Sequence, residues 1–201
     1  MKLNITKPLV VFDLETTGLD IVKDRVIQIS YIKVMPDGRE ERNNIFVNPQ
    51  RVIPDEVVAL TGITNEMVKD AKTFGELLPE MESFVDGLPL VAHNACVERA
   101  CIRDASAYYG VETTLDSENI YDTLPLSRQA ESKLGISENG PGSHQLDTVC
   151  KRFGISGNNH HNALADAEMS GNLMVVFQKI LAEDEVVDVV ETTSIPPRQK
   201  Y

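Results

Sequence analysis

Residues 9–13, Leu-Val-Val-Phe-Asp, form an unbroken apolar run that ends in a carboxylate. A run of this kind has no polar face to turn to water, so as a strand it needs cover on both sides. It reads as a central buried strand with an acid at its carboxyl end. A chain containing it must build layers around a sheet. The 201 residues suffice for one well-buried domain and are thin for two.

The next segments supply more strands. Residues 26–35 alternate and are rich in β-branched side chains, which predicts a second strand. Pro36-Asp37-Gly38 is a hairpin turn, and residues 41–47 return antiparallel as a third. Residues 48–65 hold two prolines and Thr61-Gly62, and read as a loop with one helical turn. Thr73 caps a helix over 74–85, apolar at 74, 77, 78, 81, 84 and 85. Pro79 inside that pattern predicts a kink or a helix start near it.

Short strands are expected at 88–92 and 119–122, the second again ending in acid, Asp122. Helices are expected from 94 or 95 to about 109, stopped by Gly110, and over 123–132, 143–153 and 162–181. Residues 133–143, rich in Gly with Asn139 and Pro141, read as a loop. Three antiparallel strands followed by alternating helices and strands predict an α/β fold, a mixed sheet flanked by helices. The acidic, valine-rich stretch 183–201 reads as a weakly ordered tail behind a domain over 1–182.

Composition narrows the classes. With 42% hydrophobic and 25% charged residues, the chain reads as an ordinary soluble protein. No apolar run approaches the roughly 20 residues of a membrane span, so no membrane partner is expected. The apolar run near the N-terminus carries Asp13 and has no small-residue cleavage site, so it reads as a strand and not a signal peptide. Cys96, Cys101 and Cys150 form no C-x-x-C pair and are odd in number, which predicts reduced thiols, a cytoplasmic setting and no structural zinc. A formal net charge of −12 argues against a protein that coats nucleic acid by charge. It remains compatible with an enzyme that touches a few nucleotides through metal ions.

Three segments carry chemistry. Asp13-Leu14-Glu15 puts two carboxylates on one face of a strand. Two such acids repel each other and lose solvation, and a hard divalent cation resolves both problems. An isolated Asp-x-Glu equally suits one buried acid with a capping partner. His161-Asn-Ala-Leu-Ala-Asp166 places a histidine before a helix and an acid in its first turns, with His160 beside it able to swap roles. A solvent-exposed histidine near a helix start is the plainer reading. His93-Asn94-Ala95 followed by Glu98 runs from a strand into a helix. The helix dipole alone would explain that acid, and His93 and Asn94 could equally be turn and cap residues.

Taken together, Asp13-Leu-Glu15-Thr-Thr-Gly18, His93-Asn94-Ala95 with Glu98, Asp122-Thr123, and His161 to Asp166 resemble the motifs of the DEDD exonucleases, histidine subtype. The stretch from Ile53-Pro54 through Thr61-Gly62-Ile63-Thr64 is also similar to that family's loop before the first helix. The resemblance covers about residues 7–180. It departs at Glu98, where the family usually has aspartate, and at Val97, where it tends to have phenylalanine.

The resemblance implies a ribonuclease H-like fold with a five-stranded mixed sheet. It implies 3′→5′ exonuclease activity on single-stranded DNA or RNA 3′ ends, DNA favoured, with release of nucleoside 5′-monophosphates. Two divalent cations, Mg²⁺ or Mn²⁺, would be held by Asp13, Glu15, Asp166 and Glu98, with Asp13 bridging and Glu98 acting mainly through water. His161 would be the general base, a role suited to an imidazole of ordinary pKa about 6.5. Thr16, Thr17, Gly18 and Leu19 would line the pocket for the terminal nucleotide, with His93 and Asn94 beside it, and a residue between Leu60 and Ile63 would wedge against the terminal base. Trimming of RNA or short oligonucleotides is the alternative within the same chemistry. An inactive exonuclease-like binding module is the alternative outside it. A polymerase partner is conceivable, but the 183–201 stretch shows no clear signature for one.

Overall fold

β1 spans Leu9–Thr16 and lies at the centre of the sheet, as its apolar run requires. The computed structural model describes residues 7–20, 22–116, 119–136, 143–156 and 162–182. β2 (Val26–Val34) pairs antiparallel with β1, from Leu9↔Val34 to Thr16↔Val26. β3 (Glu40–Phe46) pairs antiparallel with β2. On the other side of β1, the short strands β4 (Leu90–Ala92) and β5 (Ile120–Asp122) run parallel to it. The sheet order is β3-β2-β1-β4-β5. The three parallel strands point their carboxyl ends to one edge, which is where open α/β sheets bind ligands.

Among the described residues, seven helices surround this sheet: α1 (Asp55–Thr61), α2 (Asn65–Val68), α3 (Phe74–Val85), α4 (Cys96–Tyr109), α5 (Thr123–Lys133), α6 (Leu146–Arg152) and α7 (Ala163–Leu181). The two faces of β1 take different partners. Val10 and Phe12 belong to a core with Phe74, Leu77, Leu78 and Met81 of α3 and Ile102 of α4. Leu9 and Val11 belong to one with Ala167, Met174 and Val175 of α7. Because side chains alternate along a strand, Asp13 and Glu15 continue the row that faces α7. Behind α7, Ala130 of α5 and Val149 and Cys150 of α6 pack on Met169, Leu173 and Phe177.

Two expectations need correction. Residues 48–65 are not a loop with one turn, since they hold α1 and the start of α2. Pro54 precedes α1, Asp55 and Glu56 fill its first turn, and Gly62 closes it in the left-handed conformation at φ 74°. Val57, Ile63 and Val68 then build a small core on Ile27 and Ile53. The second concerns Pro79, which does not start α3 afresh, since the helix runs from Phe74 through it to Val85. The Thr73–Glu76 capping box sets the start of the helix, and its buried face from Phe74 to Val85 offsets the one hydrogen bond the proline removes. The stretches 137–142 and 183–201 lie outside the described residues. No described helix is long and apolar enough to cross a membrane.

Gly75 shows how tightly α3 and α4 meet. A Cβ there would lie 2.3 Å from Cγ and 2.5 Å from Cβ of Tyr109. Gly-to-Ala in a helix ordinarily gains up to about 1 kcal/mol. Here overpacking should dominate, at about 1–3 kcal/mol. Gly75→Ala is expected to lower the melting temperature in thermal denaturation, and a rise would show that the helices can separate at no cost.

Candidate active site

Asp13 and Glu15 leave β1 toward α7, and Asp166 stands in the first turn of that helix. One carboxylate oxygen from each of the three lies within 4.8 Å of the others. Two contacts set where α7 begins. Asn162 caps it, its Oδ1 accepting from the backbone N–H groups of Leu164 at 3.2 Å and Ala165 at 3.4 Å. Gln28, buried in β2 opposite Glu15, accepts from the Ala163 N–H at 3.3 Å and ties the helix end to the sheet.

The fourth acid arrives from the other helix layer. β4 ends at Ala92, the chain turns through His93-Asn94-Ala95, and Glu98 follows in the first turn of α4. Asn94 adopts the left-handed conformation at φ 65°. Asp122, at the end of β5, holds this turn. Its Oδ1 accepts from the Asn94 N–H and the Leu124 N–H, each at 2.9 Å. Glu98 is only 5% exposed, and its Oε2 makes no hydrogen bond among the described residues.

Electrostatics follow from this crowding. Burial, then the charges of Glu98, Asp166 and Glu15, push the Asp13 carboxyl well above the usual carboxylate range. Burial and the Asp166 charge raise Glu15 to about 7. Burial, with the Asp122 charge adding to it, raises Glu98 to about 8, against its place at a helix N-terminus. The donor set is all oxygen, convergent and over-charged, and it includes a buried oxygen without a partner. A hard divalent cation fits those residues.

The loop after β1 is tightly built. Asp24 accepts from the Thr17 hydroxyl at 2.9 Å and the Asp20 N–H at 2.9 Å. Thr17 in turn accepts from the Arg25 N–H at 3.0 Å, and Thr16 donates to the Gly18 carbonyl at 2.6 Å. A Cβ on Gly18 would fall 2.4 Å from the pinned Asp24 carboxylate, so the close approach requires glycine. Thr16, Gly18, Leu19, Asp24, Val97 and Cys101 line a cleft of about 100 Å³. Its lining includes the chain neighbours of two of the acids, Thr16 after Glu15 and Val97 before Glu98.

Other residues singled out in the sequence fall elsewhere. Leu19 and Leu60 are exposed. Within the Leu60–Ile63 segment expected to wedge against the terminal base, Ile63 is 3% exposed in the small core with Ile27 and Val57 and has no surface to offer, whereas Leu60 has. His93 is buried, with Nδ1 paired to Thr123 Oγ1 and Nε2 to the His144 carbonyl, each at 2.9 Å. Both ring nitrogens are thus used inside the fold. Thr17 is buried and spends its hydroxyl on the loop. His161 and His160 lie outside the described residues. Sequence reasoning missed Asp24, Gln28 and the holding role of Asp122. Asp122 alone left a signal, the same pattern of a short apolar strand ending in acid that marks Asp13.

A five-stranded sheet of this order, with carboxylates gathered at the end of its central strand, defines a ribonuclease H-like nuclease architecture. The exonuclease family model, RNase T type, matches residues 10–174. The DNA polymerase III PolC-type of Caldanaerobacter subterraneus subsp. tengcongensis is 33% identical over 186 residues, 92% of this chain and 13% of that protein. A solved exonuclease I superposes with a TM-score of 0.73 at 18% identity, over 87% of this chain and 41% of that one. The zinc-bound complex of E. coli exonuclease I with single-stranded DNA gives 0.71 at 18% identity, over 87% and 41%. The chain belongs to the RNase T exonuclease family, the DEDD-type 3′→5′ exonucleases. It spans 13% of the first PolC-type relative and less than half of the exonuclease I chains.

The raised carboxyls have a definite sign. Glu15 and Glu98 hold protons in the fold up to about 7 and about 8, against an ordinary glutamate's 4.5. The native state therefore binds more protons than the unfolded chain between pH 4.5 and 8, and stability falls as pH rises through that window. For Glu15 alone the loss is on the order of 3 kcal/mol. In EDTA the melting temperature should drop from pH 5 to pH 8, and saturating Mn²⁺ should remove the drop by mass action. Asp13→Asn should both flatten the pH slope and weaken the Mn²⁺ effect. A melting temperature indifferent to pH and to Mn²⁺ would rule out the cluster as a cation site.

Proposed function

We propose that this chain hydrolyses the last phosphodiester at the 3′ end of single-stranded nucleic acid, DNA favoured, and releases nucleoside 5′-monophosphates. The observation that carries this reading is the convergence of Asp13, Glu15 and Asp166 at the carboxyl edge of the sheet, with buried Glu98 beside them. Family membership supports the reaction class. The DNA in a fold relative and the polymerase name of the sequence relatives support DNA.

Asp13, Glu15, Asp166 and Glu98 would hold two divalent cations, Mg²⁺ or Mn²⁺. When bound, these supply charge stabilisation of the attacking and leaving oxygens and lower the pKa of water. His161, next to the capping residue Asn162, takes the proton from the attacking water. The water oxygen bonds to the terminal phosphorus, the P–O3′ bond breaks, and the 3′ oxygen leaves as the hydroxyl of the shortened strand. The loop from Thr16 to Leu19 seats the terminal nucleotide in the cleft against Val97. Its backbone is held by Asp24, so the seat is formed before substrate arrives. The PolC-type relatives make a polymerase setting a reasonable context for the chain.

The test is digestion of a 5′-labelled single-stranded DNA oligomer and its RNA counterpart with Mn²⁺, Mg²⁺ or EDTA. A ladder shortening from the 3′ end, lost in EDTA and in Asp13→Asn, is expected. Intact substrates with both metals would favour a binding module. His161→Ala should lower kcat by at least about 10²-fold, the ordinary worth of a general base, with little change in KM. An equal loss in binding would remove His161 from that role.

A further inference from the structure

α4 carries more than Glu98. Val97, Cys101, Ala105 and Tyr108 follow one another at spacings of four, four and three, so they form one row along the helix. Val97 and Cys101 line the cleft beside the acids. Cys101, Ala105 and Tyr108 line a second hollow together with Asp24, Arg25 and Asn48. The two hollows share Asp24 and Cys101 in their linings and are therefore neighbours. From Val97 to Tyr108 the helix rises about 16 Å. A stacked strand advances only about 3.4 Å per nucleotide along its axis, so this row is longer than the terminal nucleotide needs.

The far end of the groove is built as a stacking surface. Tyr108 is 61% exposed. The Arg25 guanidinium lies over its ring, 4.6 Å from the centroid, and Tyr109 abuts the same ring edge-on at 4.8 Å. Arg25 Nη1 donates to the Val22, Lys23 and Asp24 carbonyls, which fixes the guanidinium in place. Arg25 makes no carboxylate ion pair among the described residues, and its Nε and Nη2 make no hydrogen bond there. Lys23 and Arg51 stand on the same loop rim, Arg51 donating to the Lys23 carbonyl and lying 3.6 Å from Asp24. The facing acids are Asp24, engaged as described, Asp20, paired with Lys23 at 3.0 Å, and Asp104. In a chain of net charge −12, this rim is locally balanced and presents a planar cation on an aromatic ring.

We infer that this groove is a second subsite, which holds the strand upstream of the cleaved nucleotide by stacking a base on the Arg25–Tyr108 pair. The occupant is single-stranded nucleic acid, because stacking on an aromatic or guanidinium plane with a phosphate-binding cation beside it suits an unpaired strand. Its place next to the cleft lined by Thr16 and Val97, with which it shares Asp24 and Cys101, favours this occupant over a peptide. The inference rests on the exonuclease reading above.

The experiment compares kcat/KM on a single-stranded DNA oligomer long enough to fill the groove with kcat/KM on the p-nitrophenyl ester of thymidine 5′-monophosphate, which fills the terminal site alone. Tyr108→Ala should lower the ratio of oligomer to ester about tenfold, as loss of one stacked base predicts. Tyr108→Phe should preserve the ratio, and Arg25→Gln should lower it. An unchanged ratio in Tyr108→Ala, or an equal loss on both substrates, overturns the subsite. A wild-type protein that cleaves neither substrate with Mn²⁺ overturns the exonuclease reading itself, a result distinct from the other two.

Discussion

Mutual repulsion of buried carboxylates is the constraint around which this fold is arranged. Asp13 sits buried on the central strand of the sheet, where low effective dielectric magnifies every neighbouring charge. Glu15, Asp166 and Glu98 each add to its load. A fold does not gather four acids at one place by hydrophobic packing alone. Each is held by a separate device: strand alternation for Asp13 and Glu15, the Asn162 cap and the Gln28 tie for α7, and the Asp122-held turn for α4. The cost of the arrangement without cations and its affinity for them are two sides of one electrostatic energy.

Glu98 is the position where the chain departs from the usual aspartate. Its carboxylate is not among the three whose oxygens lie within 4.8 Å of one another, but its charge is felt at Asp13. It is nearly fully buried, and after burial its charge is the largest influence on Asp13. The helix enters through a left-handed Asn94, whose N–H is taken by Asp122. Asp122 thus acts twice, anchoring the turn from which α4 begins and adding negative charge that, after burial, raises the Glu98 carboxyl further. The unpartnered Oε2 of Glu98 is what this geometry leaves for a ligand.

Much of this was legible in the sequence where period and chemistry agreed. The run from Leu9 to Asp13 pointed to the central strand, Thr73 and Glu76 marked the start of α3, and Gly110 its counterpart stop for α4. The Asp13-x-Glu15 pair pointed to a shared strand face because alternation is strict. What was not legible depends on contacts distant in sequence. α1 was hidden by its brevity and by Pro54, although Asp55, Glu56 and Gly62 are ordinary helix signals. Ile63 reads as a surface loop residue until Ile27 and Val68 are seen to enclose it. His93 reads as a candidate ligand until Thr123 and the His144 carbonyl, remote in the chain, take both its nitrogens. Asp24 carries no periodic signal at all, because its role is to fold one loop onto Gly18.

The acidic balance of the chain also acquires a physical sense. A strand bound mainly through phosphates would need many cations and would dissociate steeply with salt. This protein has 19 Lys and Arg against 31 Asp and Glu, so it cannot hold nucleic acid in that way over a wide surface. Attraction must be confined to the few places where negative charge is met locally: the carboxylate cluster once cations neutralise it, and the rim where Arg25 lies on Tyr108. Elsewhere the protein's own charge repels the backbone. A terminal site and one stacked base, as proposed above, would let a shortened strand leave or advance without first breaking a long row of phosphate contacts.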